Sequence, residues 1–178
     1  MPNERGFEFD VGAEVGRYFD DSSLSDGAGP RVVILMGGPA AGKTTVRKQR
    51  YSTGYVLVDA AEIFLSLSRG EYIDFPGPFD RMLELIGRPV ARRAVSERRH
   101  IVTELIGADR EPTEQLIEAM RAVGYLVSVQ GITCDIEEAR HRNLARGGDI
   151  SCYYAEPYQR RWLLEAAFAA LHPEEENA

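Results

Sequence analysis

The chain has 178 residues, 44% of them hydrophobic and 28% charged, with a formal net charge of −7. That length suits one domain with room for a sizeable core, in the composition range of globular proteins. The acidic balance argues against nucleic acid as the default partner, no apolar run approaches a membrane span, and Met1-Pro2-Asn3-Glu4-Arg5 opens no apolar signal stretch. Cys134 and Cys152 fit no metal-ligand or redox spacing and read as reduced, incidental thiols, which points to the cytosol.

Residues 1–30 read as a loosely held preamble. A short helix is expected from Glu14 to Phe19, weakened by Gly16, with a linker from Asp20 to Pro30. The domain proper is expected over 31–172, with an acidic tail at 173–178.

Val32-Val33-Ile34-Leu35-Met36 is an unbroken apolar run, the pattern of a buried parallel strand. Gly37-Gly38-Pro39-Ala40-Ala41-Gly42-Lys43-Thr44-Thr45 follows, and it fits the phosphate-binding loop G-x-x-x-x-G-K-[ST]. Val46 to Arg50 can continue as helix. Strand, glycine loop and helix are the context this motif requires. Glycines let the backbone curl until successive N–H groups face one anion. The helix start adds its positive dipole end. Lys43 would reach the β- and γ-phosphates of ATP, and the Thr44 hydroxyl would ligate Mg²⁺. The chain has only two lysines, Lys43 and Lys48, against nineteen arginines, so a lysine at this position carries more information than usual.

Tyr55-Val56-Leu57-Val58 reads as a second strand ending in Asp59, then a helix from Ala60 to Leu67 and a loop from Arg69 to Pro78. Phe79 to Arg99 reads as mostly helical, interrupted near Gly87-Arg88-Pro89 because proline disfavours helix in the residue before it. His100 to Ile106 reads as a third strand. Pro112 to Val123 follows as a helix with Gly124 at its stop, then Tyr125 to Gln130 as a fourth strand. Asp135 can cap a helix to about Arg146, Gly147-Gly148-Asp149 breaks it, and Ala155 to Leu171 is a last helix. Alternating strands and helices give an α/β fold with a parallel sheet. Ligands in such sheets sit at the carboxyl ends of the strands, which singles out Gly37 to Thr44, Asp59 and Glu62, and Glu104.

Asp59 stands where a kinase places a base or a group near the metal. It also forms Asp59-x-x-Glu62, which resembles a helix capping box. Glu104 could hold Mg²⁺ through water or bind a substrate hydroxyl. Arg142 and Arg146 are i, i+4 neighbours, and in small kinases a helical lid carries arginines that close over the transferring phosphate. In the run Arg88, Arg92, Arg93, Arg98, Arg99, most should be solvated, with one or two able to grip an anionic substrate. His141 reads as a surface residue, and Tyr153, Tyr154 and Trp162 as packing residues.

Together the phosphate loop, Val58-Asp59, Val102-Thr103-Glu104, Gly124-Tyr125-Leu126-Val127 and the Arg140 to Arg146 helix resemble the zeta-toxin family of P-loop kinases, over about Arg31 to Arg161. The resemblance implies a P-loop kinase-like parallel sheet with helices on both faces and a small helical lid. It implies binding of ATP-Mg²⁺ through Lys43 and Thr44, substrate contact through Glu104, and lid arginines at Arg142 or Arg146. The family's best-known members are toxins of toxin–antitoxin systems that phosphorylate a hydroxyl of UDP-N-acetylglucosamine-type sugars. An antitoxin protein is therefore an implied partner, beside a small hydroxyl-bearing acceptor. Two blocks depart from the family. Its second strand usually ends Asp-x-Asp, with the second Asp as base, where this chain has Asp59-Ala60-Ala61; the base is then Asp59 or Glu62. Where the toxins read Gly-Thr-Gly-Arg to bind substrate, Leu105-Ile106-Gly107-Ala108 stand here. The expectation is an ATP-dependent phosphotransferase. A metabolic or antibiotic-modifying kinase, a nucleotide-binding module without chemistry, and a nucleic-acid end kinase are its rivals in that order.

Overall fold

A computed structural model describes residues 10–24, 27–59, 62–63, 80–105 and 110–145, without side chains for 80–83 and 110. The described elements are α1 (Val11–Arg17), β1 (Arg31–Met36), α2 (Lys43–Arg50), β2 (Tyr55–Leu57), α3 (Asp80–Ser96), β3 (His100–Leu105), α4 (Arg110–Ala122), β4 (Leu126–Gly131) and α5 (Ile136–Ala145). The strands form one parallel sheet in the order β2-β3-β1-β4. β1 has a partner on each side and apolar packing on each face, which is why its run from Val32 to Met36 is buried throughout.

Alternation along the strands divides the core. Val32, Ile34 and Met36 face a cluster with Val15 and Phe19 of the N-terminal segment, Ile86, Val90 and Ala94 of α3, and Ile117 of α4. Val33, Leu35 and Val102 face the other way, against Val46 and Tyr51 at α2. Helices thus cover both faces, as expected.

Two expectations need correction. The first concerns the preamble, where residues 10–24 are docked rather than loose. Asp10 caps α1, accepting from the Gly12 and Ala13 amides at 2.8 and 3.2 Å. Val15 and Phe19 are buried, and Arg93 lies over the Phe19 ring, 4.1 Å from its centre. Secondly, α3 runs unbroken through Pro89. Ile86, Val90 and Ala94 are fully buried along one stripe, and that burial outweighs the hydrogen bond proline cannot donate. The arginine run is mostly solvated, as expected: Arg88, Arg92, Arg93 and Arg98 are exposed. Arg88 pairs with Glu84, Arg93 and Arg99 with Glu97, and Arg98 and Arg99 donate to the carbonyls of Val123 and Ser22. The Arg93 hydrogen bond holds the Glu97 carboxyl below its ordinary value.

Element ends otherwise differ by one to three residues. The loop at 69–78, Arg146, the Gly147-Gly148 break, the residues Tyr153, Tyr154 and Trp162, the last helix and the tail lie outside the described residues. Among the described residues, no helix is long and apolar enough to cross a membrane.

Candidate active site

The chain leaves β1 for β2 on one side of the sheet, and leaves β3 for β4 on the other. The connections therefore diverge at the carboxyl ends of the adjacent strands β1 and β3. That is the switch point at which open α/β sheets form a crevice. The glycine loop follows β1 there, and Glu104 lies near the end of β3.

The loop is held at its root from both sides. The Gly37 amide donates to the Leu105 carbonyl at 3.1 Å, and the Ile132 amide donates to the Met36 carbonyl at 2.7 Å. Gly37 has to be glycine: a Cβ there would lie 2.2 Å from the Ile132 carbonyl oxygen. Further on, Ala40 and Gly42 take positive φ of 56° and 108°, curling the backbone into the start of α2. Lys43 folds back over this curl, its Nζ donating to the Gly37 and Gly38 carbonyls at 2.7 and 3.0 Å. Ala40 and Ala41 pack against Ile132, Cys134, Ile136 and the fully buried Ala139 of α5. Burial pushes the Cys134 thiol above its ordinary value, which keeps it protonated and slow as a nucleophile.

Thr44 and Glu104 meet across the crevice. The Thr44 hydroxyl donates to Glu104 Oε2 at 2.9 Å. The other oxygen, Oε1, accepts from Arg47 Nε at 2.7 Å, and Arg47 Nη2 donates to Glu62 Oε2 at 3.1 Å. Sheet alternation explains the meeting, because Glu104 shares the α2 face with Val102. Thr44 and Arg47 are three apart on α2 and share its inward side. Asp59, just past the end of β2, is buried, and its carbonyl accepts from the Ile63 amide at 3.1 Å. Glu62 turns its carboxylate to Arg47, which is not the reciprocal arm of a capping box.

The structure therefore brings Lys43, Thr44, Glu104 and Glu62 to one cleft edge, with Asp59 at the neighbouring strand end. Arg142 is not brought there. It pairs with Glu138 one turn back and is half-exposed; α5 reaches the loop through Ala139. Arg146 lies outside the described residues. Sequence reasoning passed over Arg47 as mere helix continuation. Its signal was available, three residues after the hydroxyl that would bind metal.

The donor set suits Mg²⁺. Thr44 and Glu104 offer hard oxygens beside a phosphate loop, and Mg²⁺ is commonly held by one or two carboxylates together with substrate phosphates. Among the described residues no group of three or more His, Cys, Asp or Glu could hold a metal alone.

No protein-family model and no curated protein matches the sequence. Solved structures do match in fold. A protein of the PezAT chromosomal toxin–antitoxin system of Streptococcus pneumoniae superposes with a TM-score of 0.63 at 14% identity, covering 92% of this chain and 72% of that one. The AvrRxo1-ORF1:ORF2 complex with ATP gives 0.52 at 16% identity, over 75% of this chain and 43% of that one. The Pnkp1/Rnl/Hen1 RNA repair complex gives 0.53 at 13%, over 89% and 51%. The chain thus spans about half or less of the latter two. By fold, this chain is similar to the PezAT-system protein and to the AvrRxo1-ORF1:ORF2 complex, in line with the α/β fold its sequence implies.

Proposed function

We propose that this chain is an ATP-dependent phosphotransferase, zeta-toxin-like, that moves the γ-phosphoryl group to a hydroxyl of a small molecule. The observation that carries the reading is the Thr44–Glu104 hydrogen bond at 2.9 Å, beside a curled glycine loop at the sheet's switch point. Bound ATP-Mg²⁺ would supply an activated phosphoryl group with part of its charge neutralised. Gly37 to Thr45 enclose the phosphates, and Lys43 exchanges its two carbonyl acceptors for phosphate oxygens. Thr44 and Glu104 would hold the metal. Asp59, buried just past the end of β2 at the same sheet edge as the loop, accepts the hydroxyl proton of the acceptor. Arg142 and Arg146 belong to the lid in this reading, and Arg142 must leave Glu138 to act. The kinase domain is 31–172 with the segment 10–24 docked on its core, and the protein works in the cytosol. A nucleotide sugar is the acceptor to try first, then metabolites and antibiotics that carry hydroxyls. An antitoxin-like protein is a fitting partner, since the PezAT neighbour comes from a toxin–antitoxin system.

Two features favour a second reading, a nucleotide-binding module without chemistry: Ala61 stands at the usual base position of the family it resembles, and Glu62 is tied to Arg47. ATP turnover measured with and without pooled hydroxyl compounds separates the two. The kinase reading expects turnover that an acceptor raises and Lys43→Ala abolishes in a folded protein. ATP binding without turnover under any acceptor supports the module instead.

A further inference from the structure

Arg47 is nine-tenths buried and joins two carboxylates from different strand ends. We propose that Arg47 is the positioning residue of the metal site, orienting Glu104 so that its second oxygen faces the Thr44 hydroxyl. The inference rests on the reading of this loop as an ATP-Mg²⁺ site.

The geometry carries it in three steps. A carboxylate has two equivalent oxygens, and its terminal torsion is broad and roughly two-fold, so Glu104 alone has no preferred face. Arg47 Nε takes Oε1 at 2.7 Å, which leaves Oε2 for Thr44. The guanidinium is a rigid planar fork, and its Nη2 is anchored at 3.1 Å to Glu62 Oε2. Glu62 thus braces Arg47, Arg47 braces Glu104, and Glu104 presents one oxygen beside the metal-binding hydroxyl. Groups that orient a metal's ligands from behind typically change metal affinity or activity by about 10–100-fold when altered. The Glu104 and Arg47 side chains are only 7% and 10% exposed, so water cannot readily take over the brace.

Lysine is the informative substitution. Arg47→Lys keeps the charge, so the field at the metal is nearly unchanged, but an ammonium has no planar fork to fix Glu104 and Glu62 together. The probe is ADP titrated into the full chain by calorimetry, once with Mg²⁺ and once with EDTA, with thermal melts as the folding control. Wild type should bind ADP more tightly with Mg²⁺. Arg47→Lys should keep the EDTA affinity and lose roughly tenfold or more of the Mg²⁺ enhancement. Arg47→Gln is the second variant should Lys not fold, with the same expectation. An undiminished enhancement in the folded variant overturns the proposal, and so does an equal weakening in both conditions, which would mean simple support of the loop. If wild type binds ADP in neither condition, the nucleotide-site reading itself fails, and the positioning role falls with it.

Discussion

Asp59 carries the sharpest test among single residues. It is buried just past the end of β2, at the same sheet edge as the glycine loop. If it accepts the hydroxyl proton, Asp59→Asn should lower turnover by roughly 10²–10⁴-fold, the usual range for a general base. ATP affinity should barely change, because Asn still caps a helix. Steady-state kinetics beside calorimetry would check both halves. Near-normal turnover in Asp59→Asn, with loss in Glu62→Gln, would move the role to Glu62. Gly37 offers a structural counterpart. Gly37→Ala drives a methyl into the Ile132 carbonyl, so the root of the loop must shift. Overpacking of that kind costs roughly 1–3 kcal/mol, and nucleotide binding should fall with it. Denaturant melts with ATP titration would show the two losses together.

Docking of the N-terminal segment belongs to the scale of elements. Phe19 fills the core edge beneath Arg93, and both the stacking and the burial vanish in Phe19→Ala. Large aromatic truncations in cores cost roughly 3–5 kcal/mol, and the lower end suits a segment that can partly detach. Urea unfolding should show it. A loss of only a few tenths of a kcal/mol would mean that residues 10–24 are loosely held after all. Two ladder-like contacts further tie this segment down, Ser22 with Gly54 and Leu24 with Arg99.

Stability of the whole molecule has an alkaline limit set in part by Tyr125. Burial pushes its hydroxyl above the ordinary value of 10, with the Arg98 charge opposing. Unfolded Tyr125 ionises near pH 10, whereas folded Tyr125 keeps its proton to higher pH. Its contribution is therefore complete below about pH 10 and is lost as pH rises through the folded value. The hydroxyl also donates to the Ala94 carbonyl at 3.1 Å, joining the start of β4 to α3. Tyr125→Phe should cost about 1 kcal/mol near neutrality and flatten the decline above pH 10. Denaturation midpoints measured from pH 8 to beyond 10 would test this; an unchanged slope would assign the decline to other groups.

What the sequence by itself determined is whatever a short window encodes. The buried strand, the glycine loop and the start of α2 were legible because apolar run, glycine spacing and helix start lie within one continuous stretch, Val32 to Arg50. The α/β alternation was legible for the same reason, since each element's pattern is local. Tertiary structure decided what depends on residues far apart in the chain. Thr44 and Glu104 are 60 positions apart, and Arg47 and Glu104 are 57; only the strand order β2-β3-β1-β4 makes them neighbours. Pro89 misled for the opposite reason. Its local rule is real, but the buried stripe of Ile86, Val90 and Ala94 supplies more free energy than one missing hydrogen bond removes. The docking of α1 was likewise set by packing partners that no motif announces.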